Sequence, residues 1–188
     1  MNIVEIIIRL CWIILILYWI VSSFFQKPAA RKYSWFSRFI QFFFMFIAVS
    51  LLVGYTIYYP LSIVIVRQPF IEDFISILLC ILGLILAIRA RTILAGNWSG
   101  RVELKKGHEL ITKGTYKYIR HPIYSGFLMM FLGTALAIGR IGGFIGLLVL
   151  FTGFWIKLKQ EERLMIKHFG NKYLDYKKRT KALIPYVI

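Results

Sequence analysis

The chain has 188 residues, of which 59% are hydrophobic, and its formal net charge at pH 7 is +16. A mean hydropathy of +0.71 lies far above that of soluble domains and excludes an ordinary soluble protein. The basic excess is typical either of nucleic-acid binding or of the positive-inside rule of membrane proteins. Its distribution favours the second, because 21 of the 24 Lys and Arg residues lie in three segments, 26–38, 89–122 and 157–188, at and beyond the ends of apolar runs. We therefore expect no nucleic-acid partner.

Five apolar runs are long enough, or nearly so, to cross about 30 Å of hydrocarbon as helices. They cover residues 3–25, 35–59, 70–94, 122–138 and 141–158. The three basic segments then share one side of the membrane, while Arg9, Arg67 and Arg140 lie on the other. This pattern predicts an all-α, polytopic (multi-pass) integral membrane protein with five transmembrane helices. Its N-terminus is expected outside and its C-terminus in the cytoplasm.

We predict a single domain over residues 1–188. Its expected parts are three helices (1–94), a cytoplasmic loop (95–121), a helical hairpin (122–158) and a cytoplasmic tail (159–188). Within the loop, residues 105–107 read as a turn, and residues 108–113 as one helical turn ending at Gly114. The tail is basic and amphipathic, so it could lie along the membrane surface or fold over the loop.

The cysteines and histidines do not have the spacing of a metal site. Cys11 and Cys80 fall inside apolar runs and are interpreted as packing residues. His108, His121 and His168 match neither a structural zinc pattern nor HExxH, so we predict no metal. No GxGxxG motif follows a strand, and therefore no Rossmann domain is expected.

The last two apolar runs must form a tight antiparallel hairpin, because only Gly139 and Arg140 connect them. If the hairpin is symmetric about residue 140, facing positions follow from the helical rise, with an error of about one turn. Arg120 then lies opposite Gln160 and Glu161. The start of one helix and the end of the other should therefore meet at one depth.

The start of the fourth apolar run is a candidate site for an anion. Pro122 suits the first helical position with His121 as its cap, and the N–H groups there favour a carboxylate. Arg120 adds a bidentate donor, while Glu161 and Glu162 supply negative charge nearby. A ligand with a carboxylate and a cationic or hydroxyl-rich part would match this pattern. The same residues are equally explained as topology charge at a helix start, neutralised by the acid pair.

Several motifs occur together in this half of the chain. They are GHELI at 107–111, GTY at 114–116, RHPIYSG at 120–126, the pair Glu161-Glu162, and Phe169-Gly170 followed by Tyr173 and Tyr176. In order and spacing, residues from about 94 to 185 resemble the isoprenylcysteine carboxyl methyltransferase family, which is related to membrane phospholipid N-methyltransferases. The first two helices resemble those of the family only in being apolar helices.

The resemblance implies S-adenosylmethionine bound in a non-Rossmann pocket at the cytoplasmic face, between loop, hairpin and tail. The resemblance implies that the adenosine contacts His108, Glu109, Leu110 and Ile111, and that Tyr116 faces the cofactor. It implies that the methionine end is held by His121, Pro122, Ile123 and Tyr124. Glu161 would bind polar groups of the cofactor. Glu103 matches a polar cofactor contact less closely, because the loop length differs.

We also predict catalytic roles for Lys157, Glu161 and Arg120, of which the resemblance bears on Lys157 and Glu161. Lys157 stands where the family's eukaryotic enzymes have Arg, at a position tied to the substrate carboxylate. Lys keeps the positive charge but lacks the planar guanidinium that binds a carboxylate with two hydrogen bonds, so the identity of the methyl acceptor is left open. The expected activity is methylation of an isoprenylcysteine-like carboxylate or another lipophilic or prenylated acceptor that reaches the site from the lipid bilayer.

Other functions remain as alternatives. The same fold could serve a phospholipid N-methyltransferase or a thiol S-methyltransferase. An NADPH-dependent membrane reductase of sterol-reductase type shares a similar helical pattern, but Glu161-Glu162 disfavours it, because a 2′-phosphate requires Arg or Lys. A non-enzymatic membrane protein is the last alternative, and the intact set of His121, Tyr124 and Glu161 argues against it.

Overall fold

The computed structural model describes residues 2–31, 35–53, 59–66 and 69–185, which form a mainly helical protein. The helices are α1 (Ile3–Ser23), α2 (Trp35–Val53), α3 (Tyr59–Ser62), α4 (Pro69–Leu94), α5 (Pro122–Ile138), α6 (Ile141–Phe169) and α7 (Asn171–Arg179). Two short strands, β1 (Ala29–Arg31) and β2 (Leu104–Lys105), pair in antiparallel fashion. The predicted helical class is thus correct apart from this small ribbon. Arg67, which the topology places outside, lies outside the described residues.

Three of these helices are long and apolar enough to cross a membrane: α1, α4 and α6. Two further apolar helices, Phe39–Val53 within α2 and Pro122–Ile138, are shorter. Many large apolar side chains on α1, α2 and α4 are exposed on the protein surface. Such an extended apolar surface is what helices present to lipid rather than to water.

The hairpin of α5 and α6 has the predicted tight turn, with Gly139 in the left-handed conformation at φ 65°. Its second helix does not end at residue 158, however. The apolar stretch stops there, but Lys, Gln, Glu, Arg, Leu and Met continue as good helix formers until Gly170, whose φ is 57°. The boundary read from hydropathy was therefore the end of the apolar surface and not of the helix.

The main helices pack side by side in the order α1, α4, α5, α6, α2. Small residues allow this close packing. A Cβ on Gly83 of α4 would lie 2.6 Å from the carbonyl oxygen of Gly126 on α5, and one on Gly146 would lie 2.8 Å from the carbonyl oxygen of Ala48. Gly146 belongs to the predicted GxxxG pair with Gly142, which does pack α6 against α2.

A crevice of about 850 Å³ separates α1 from α2, the two ends of this row. Its walls carry apolar side chains such as Leu15 and Leu52, and its floor is formed by α5 with Phe131. In the middle, Trp12 Nε1 donates a hydrogen bond of 3.0 Å to Thr134 Oγ1. The middle of the crevice is therefore apolar, with the Trp12 indole N–H satisfied, whereas Glu5, Arg9 and Arg140 also lie among its lining residues.

The loop after α4 is fastened to the segment that follows α1. The N–H of Lys27 donates to the carbonyl oxygen of Gly96 at 3.1 Å, and that of Lys106 to Pro28 at 3.0 Å. Arg91 Nη2 donates to the carbonyl oxygen of Ser22 at 2.7 Å, and so caps the end of α1. Because these bonds join distant parts of the chain, the loop has a fixed position beside the hairpin.

Within the loop, the predicted turn at 105–107 is present, but the helical turn predicted at 108–113 is wrong. Residues 108–112 have no regular structure, and a single 3₁₀ turn instead spans Gly114–Lys117. Gly114, at φ 60°, starts this turn rather than ending one. All four residues 108–111 line a cavity.

The tail folds back over the base of the hairpin instead of lying only on the membrane. The N–H groups of Arg120 and His121 donate to the carbonyl oxygens of Lys181 and Ala182 at 2.8 and 2.9 Å. Ser125 Oγ donates to the carbonyl oxygen of Leu183 at 2.5 Å. The tail is thus bonded to the first turn of α5.

Candidate functional site

A cavity of about 460 Å³ lies where the loop, the base of the hairpin and the tail meet. Twelve of the thirteen predicted site residues line it: Glu103, His108, Glu109, Leu110, Ile111, Tyr116, Arg120, His121, Ile123, Tyr124, Lys157 and Glu161. Pro122 is fully buried as the first residue of α5 and does not reach the cavity. Its role is to start the helix, because its fixed φ suits that position.

Tyr124 and Glu161 form the link between the two helices of the hairpin. Tyr124 Oη donates a hydrogen bond of 2.7 Å to Glu161 Oε1. The Tyr124 ring stacks between His121, at 5.5 Å between centroids, and Phe154, at 4.7 Å. The stack presents an aromatic wall beside a carboxylate that is still 21% exposed.

Lys157 lies one helical turn before Glu161 on the same face of α6. Its Nζ is 3.9 Å from Glu161 Oε1 and 5.4 Å from the centre of the Tyr124 ring. It also donates a hydrogen bond of 3.0 Å to the carbonyl oxygen of Gly100 in the loop. A cation, a carboxylate and a phenol therefore converge at one end of the cavity.

Arg120 was predicted to hold a ligand carboxylate, but its donors are directed elsewhere. Its Nε donates to Glu162 Oε1 at 2.6 Å, and its Nη1 donates to the carbonyl oxygens of Lys177 and Thr180. Lys177 Nζ completes the network, at 2.7 Å from Glu162 Oε2. A buried guanidinium requires such pairing, so Arg120 joins the tail to the hairpin rather than offering a fork to a ligand.

The adjacent residues Glu161 and Glu162 thus have different surroundings, a difference that could not be predicted from the sequence. Glu162 is only 3% exposed and is held by Arg120 and Lys177, whereas Glu161 faces the cavity. His121 lies between them, with Nδ1 3.6 Å from Glu161 Oε2 and Nε2 3.7 Å from Glu162 Oε1. Its Nε2 is buried and makes no direct hydrogen bond.

Glu103 is buried in a polar cluster of the loop. Lys105 Nζ and Ser99 Oγ donate to Glu103 Oε1 at 2.8 and 2.7 Å. Burial alone would raise the pKa of Glu103, but the hydrogen bonds from Lys105 and Ser99 outweigh it and lower the pKa. The carboxylate is therefore ionised and satisfied within the loop.

His108 also lines the cavity, as a neutral imidazole. Burial, with help from the nearby charges of His168 and Lys27, lowers its pKa to about 4. The backbone N–H of Lys105 donates a hydrogen bond to His108 Nδ1, with 3.4 Å between the two nitrogens. The ring packs against Phe169, so it offers an uncharged, partly apolar surface.

Two tyrosines of α7, Tyr173 and Tyr176, close the cavity from the side of the tail. Tyr176 Oη donates a hydrogen bond of 2.6 Å to the carbonyl oxygen of Tyr116. Burial raises the pKa of Tyr176 to about 12, so the phenol keeps its proton for this bond at neutral pH. The tail is thereby tied to the loop as well as to α5.

Several lining residues were not predicted as site residues. They include Trp19, Trp98, Phe127, Phe154, Leu164, Met165, Tyr173 and Tyr176. Tyr173 and Tyr176 lie three apart after Gly170, and this spacing was a usable signal for one face of a helix. Trp98 stacks over the Arg91 guanidinium at 4.5 Å, a contact between residues seven apart that local sequence does not indicate. Among the described residues, no group of three His, Cys, Asp or Glu is placed to hold a metal.

Comparison with known proteins assigns this arrangement to a family. The family model described as phospholipid methyltransferase matches residues 71–172, which is more than half of the chain. Protein-S-isoprenylcysteine O-methyltransferase of Schizosaccharomyces pombe is 36% identical over 83 residues, covering 44% of this chain and 35% of the relative. The Mus musculus enzyme of that name is 32% identical over 115 residues, covering 60% and 41%. The chain thus spans less than half the length of these relatives.

The fold has a solved counterpart as well. The structure of the eukaryotic intramembrane Ras methyltransferase ICMT (isoprenylcysteine carboxyl methyltransferase) matches with a TM-score of 0.58 and 22% identity, over 81% of this chain and 52% of that one. The match and the three apolar helices agree on an integral membrane protein. The resemblance read from the motifs is confirmed. This chain belongs to the phospholipid methyltransferase family, within which its relatives are isoprenylcysteine methyltransferases.

Proposed function

We propose that this protein is an S-adenosylmethionine-dependent methyltransferase that acts on a lipophilic carboxylate of the isoprenylcysteine type. The observation that carries the proposal is the meeting of Tyr124, Glu161 and Lys157 at one end of the 460 Å³ cavity. These residues lie inside the segment that matches the family model. A cavity of this size is typical of sites for small ligands.

The residues present fit S-adenosylmethionine. Its sulfonium is a cation, which aromatic faces such as Tyr124 attract. Glu161 offers a partly exposed carboxylate for the amino group, and His121 lines the cavity beside it. The neutral His108 and residues 109–111 suit the adenosine. When bound, the cofactor supplies an electrophilic methyl group.

The chain's own residues supply alignment and charge balance rather than covalent chemistry. The phenol of Tyr124 fixes the carboxylate of Glu161 by its hydrogen bond. Phe154 and the other aromatic walls exclude water, which strengthens electrostatic interactions inside the cavity. A carboxylate acceptor is already ionised at neutral pH, so Lys157 need only hold and orient it.

The crevice between α1 and α2 is the proposed path for the acceptor. It shares Trp19, Met45 and Phe127 with the cavity, so the two spaces adjoin. From Phe127 to Arg140 the floor extends over about 20 Å, given the helical rise. An apolar chain lying there would place its polar head at the cavity. This arrangement favours a lipid-modified acceptor over a small soluble thiol.

The cofactor site is proposed to face the cytoplasm. Five crossings require the shorter α2 and α5 to span the membrane along with the three longer helices. The loop, the tail and the cavity then lie on the side that carries most Lys and Arg residues. Cofactor would enter from the cytoplasm, while the acceptor would enter from the bilayer.

The first test is calorimetric, with purified protein in lipid nanodiscs. S-adenosylhomocysteine should bind, NADPH should not, and Glu161→Gln should weaken binding. Transfer of labelled methyl groups is then compared between a farnesylcysteine carboxylate, phosphatidylethanolamine and a small thiol. Binding of NADPH without S-adenosylhomocysteine would overturn the methyltransferase proposal. Transfer only to phosphatidylethanolamine or to the thiol would overturn the choice of acceptor.

A further inference from the structure

The tail also forms a second, strongly basic groove of about 420 Å³, which shares only Arg120 with the described lining of the cofactor cavity. Its basic lining residues are Lys117, Arg120, Lys177, Lys178, Arg179 and Lys181. Among the residues that the structure describes, no Asp or Glu lines it. Glu162 forms ion pairs with both Arg120 and Lys177, and Asp175 pairs with Lys178. Lys117, Arg179 and Lys181 are exposed, and none of them takes part in an ion pair among the described residues.

The groove lies at the depth of phospholipid headgroups. Lys177 contacts Glu162, which is four residues, or about 6 Å, beyond Leu158, where the continuous apolar run of α6 ends. Lys117 precedes the first residue of α5 by five positions. The polar layer on each side of the hydrocarbon core is about 5–8 Å thick, so the groove falls within it.

Two exposed apolar residues border the groove and support the same placement. Tyr118, which lines the groove, is 56% exposed, and Ile184, next to the lining residue Pro185, is 52% exposed. Lys117 Nζ lies 5.9 Å from the Tyr118 ring. Aromatic and apolar side chains beside basic ones are typical of surfaces that rest in the membrane interface.

We propose that this groove binds the phosphate-bearing headgroup of an anionic membrane lipid. The proposal rests on the membrane orientation given under the proposed function, but not on the methyl-transfer activity. Charge complementarity selects the occupant, because a zwitterionic headgroup would bring no net negative charge to three unpaired cations.

Lipid bound here would also hold the tail closed over the cavity. The backbone of residues 181–182 is bonded to Arg120 and His121, and Tyr176 is bonded to the loop. A headgroup that contacts Lys117 before α5 and also Arg179 and Lys181 in the tail would link the tail to the loop on the face of the tail that carries the groove. Tail opening should therefore become rarer in membranes that contain anionic lipid.

The test combines lipid retention with amide hydrogen exchange. By native mass spectrometry, the protein should retain phosphatidylglycerol in preference to phosphatidylcholine. In nanodiscs, phosphatidylglycerol should slow exchange in residues 171–183. The triple variant Lys117→Gln, Arg179→Gln, Lys181→Gln should lose at least about tenfold in phosphatidylglycerol affinity, given the usual effect of each cation near an anionic surface.

The matched control is Lys113→Gln, Lys167→Gln, Lys172→Gln, which removes three exposed cations outside the groove. It should retain phosphatidylglycerol like the unmodified protein. An equal loss in both triple variants would refute a defined site, and an absence of preference for phosphatidylglycerol would refute binding altogether. Competition by millimolar glycerol phosphate would reassign the groove to soluble phosphates. S-adenosylhomocysteine binding in pure phosphatidylcholine tests the proposed function independently of all these outcomes.

Discussion

The adjacent residues Glu161 and Glu162 should respond differently to the same isosteric substitution. Glu162 accepts charged hydrogen bonds from Arg120 at 2.6 Å and Lys177 at 2.7 Å and is almost fully buried. Removing one partner of a buried ion pair costs roughly 3–5 kcal/mol. Because Gln keeps the shape and one acceptor, we take the lower end, about 3 kcal/mol, for Glu162→Gln. For a chain of this length that corresponds to a fall in Tm of about 6–12 °C.

Glu161→Gln should instead act on the ligand. Glu161 is partly exposed, faces the cavity and accepts a single hydrogen bond from Tyr124. Loss of a charged contact to a bound amino group costs about 1–3 kcal/mol, or roughly 5- to 150-fold in affinity for S-adenosylhomocysteine. The fold should lose little stability, since Gln can still accept from Tyr124.

The assay measures three quantities on both variants in the same detergent: Tm from tryptophan fluorescence, amide exchange in residues 171–183, and S-adenosylhomocysteine affinity by calorimetry. Glu162→Gln should lower Tm and speed exchange of the tail, whereas Glu161→Gln should change affinity alone. If Glu161→Gln releases the tail, or if Glu162→Gln leaves both Tm and exchange unchanged, the division of roles between the two residues is wrong.

Four further predictions follow from the site and the topology. Lys157→Ala should raise the KM for a carboxylate acceptor and leave S-adenosylhomocysteine affinity nearly unchanged in calorimetry; a loss of cofactor affinity would place Lys157 at the cofactor. The pKa of His108 is lowered from 6.5 to about 4, so from pH 6.5 to 4 the unfolded chain binds a proton that the folded one does not. Stability should therefore fall as pH is lowered through this window, and denaturation of His108→Gln should show less of that fall. A cysteine at position 140 should react with an impermeant reagent from outside and one at 106 should not; the reverse would invert the topology. Two glycines inserted after Gly139 should permit membrane insertion but weaken S-adenosylhomocysteine binding, and normal binding would show that hairpin register is unimportant.

Local sequence patterns were sufficient for the parts of the fold set by short-range geometry. The two-residue connection at Gly139 and Arg140 permits only a tight hairpin, which was predicted to place Arg120 opposite Gln160 and Glu161. The observed partner is Glu162, one position further along α6. One residue corresponds to 100° of helix rotation, which decides whether a side chain faces the cavity or the tail. The position of a residue along the hairpin could be predicted from the sequence, but the direction in which its side chain points could not.

The tail and the loop were less predictable, because their positions depend on contacts between residues far apart in the chain. From the local sequence alone, Arg120 is predicted to donate to a ligand. In the structure it donates hydrogen bonds to the carbonyl oxygens of residues 177 and 180 instead. Likewise, residues 108–112 include good helix formers such as Glu109 and Leu110 but form no helix, with the loop tied to residues 27 and 28. In each case tertiary hydrogen bonds outweighed the local preference.

The position of the tail has a consequence for the order of events at the site. The cavity is bounded by the loop, the hairpin and the tail, while its apolar side adjoins the crevice between α1 and α2. A polar cofactor cannot enter through the apolar crevice at reasonable cost, because its charges would lose their water. We therefore expect the cofactor to enter between the loop and the tail, and the acceptor to enter along the crevice. Crosslinking a cysteine in α7 to one in the loop should then block exchange of bound S-adenosylhomocysteine while lipophilic acceptors still bind. Unchanged exchange in the crosslinked protein would show that the cofactor has another entrance.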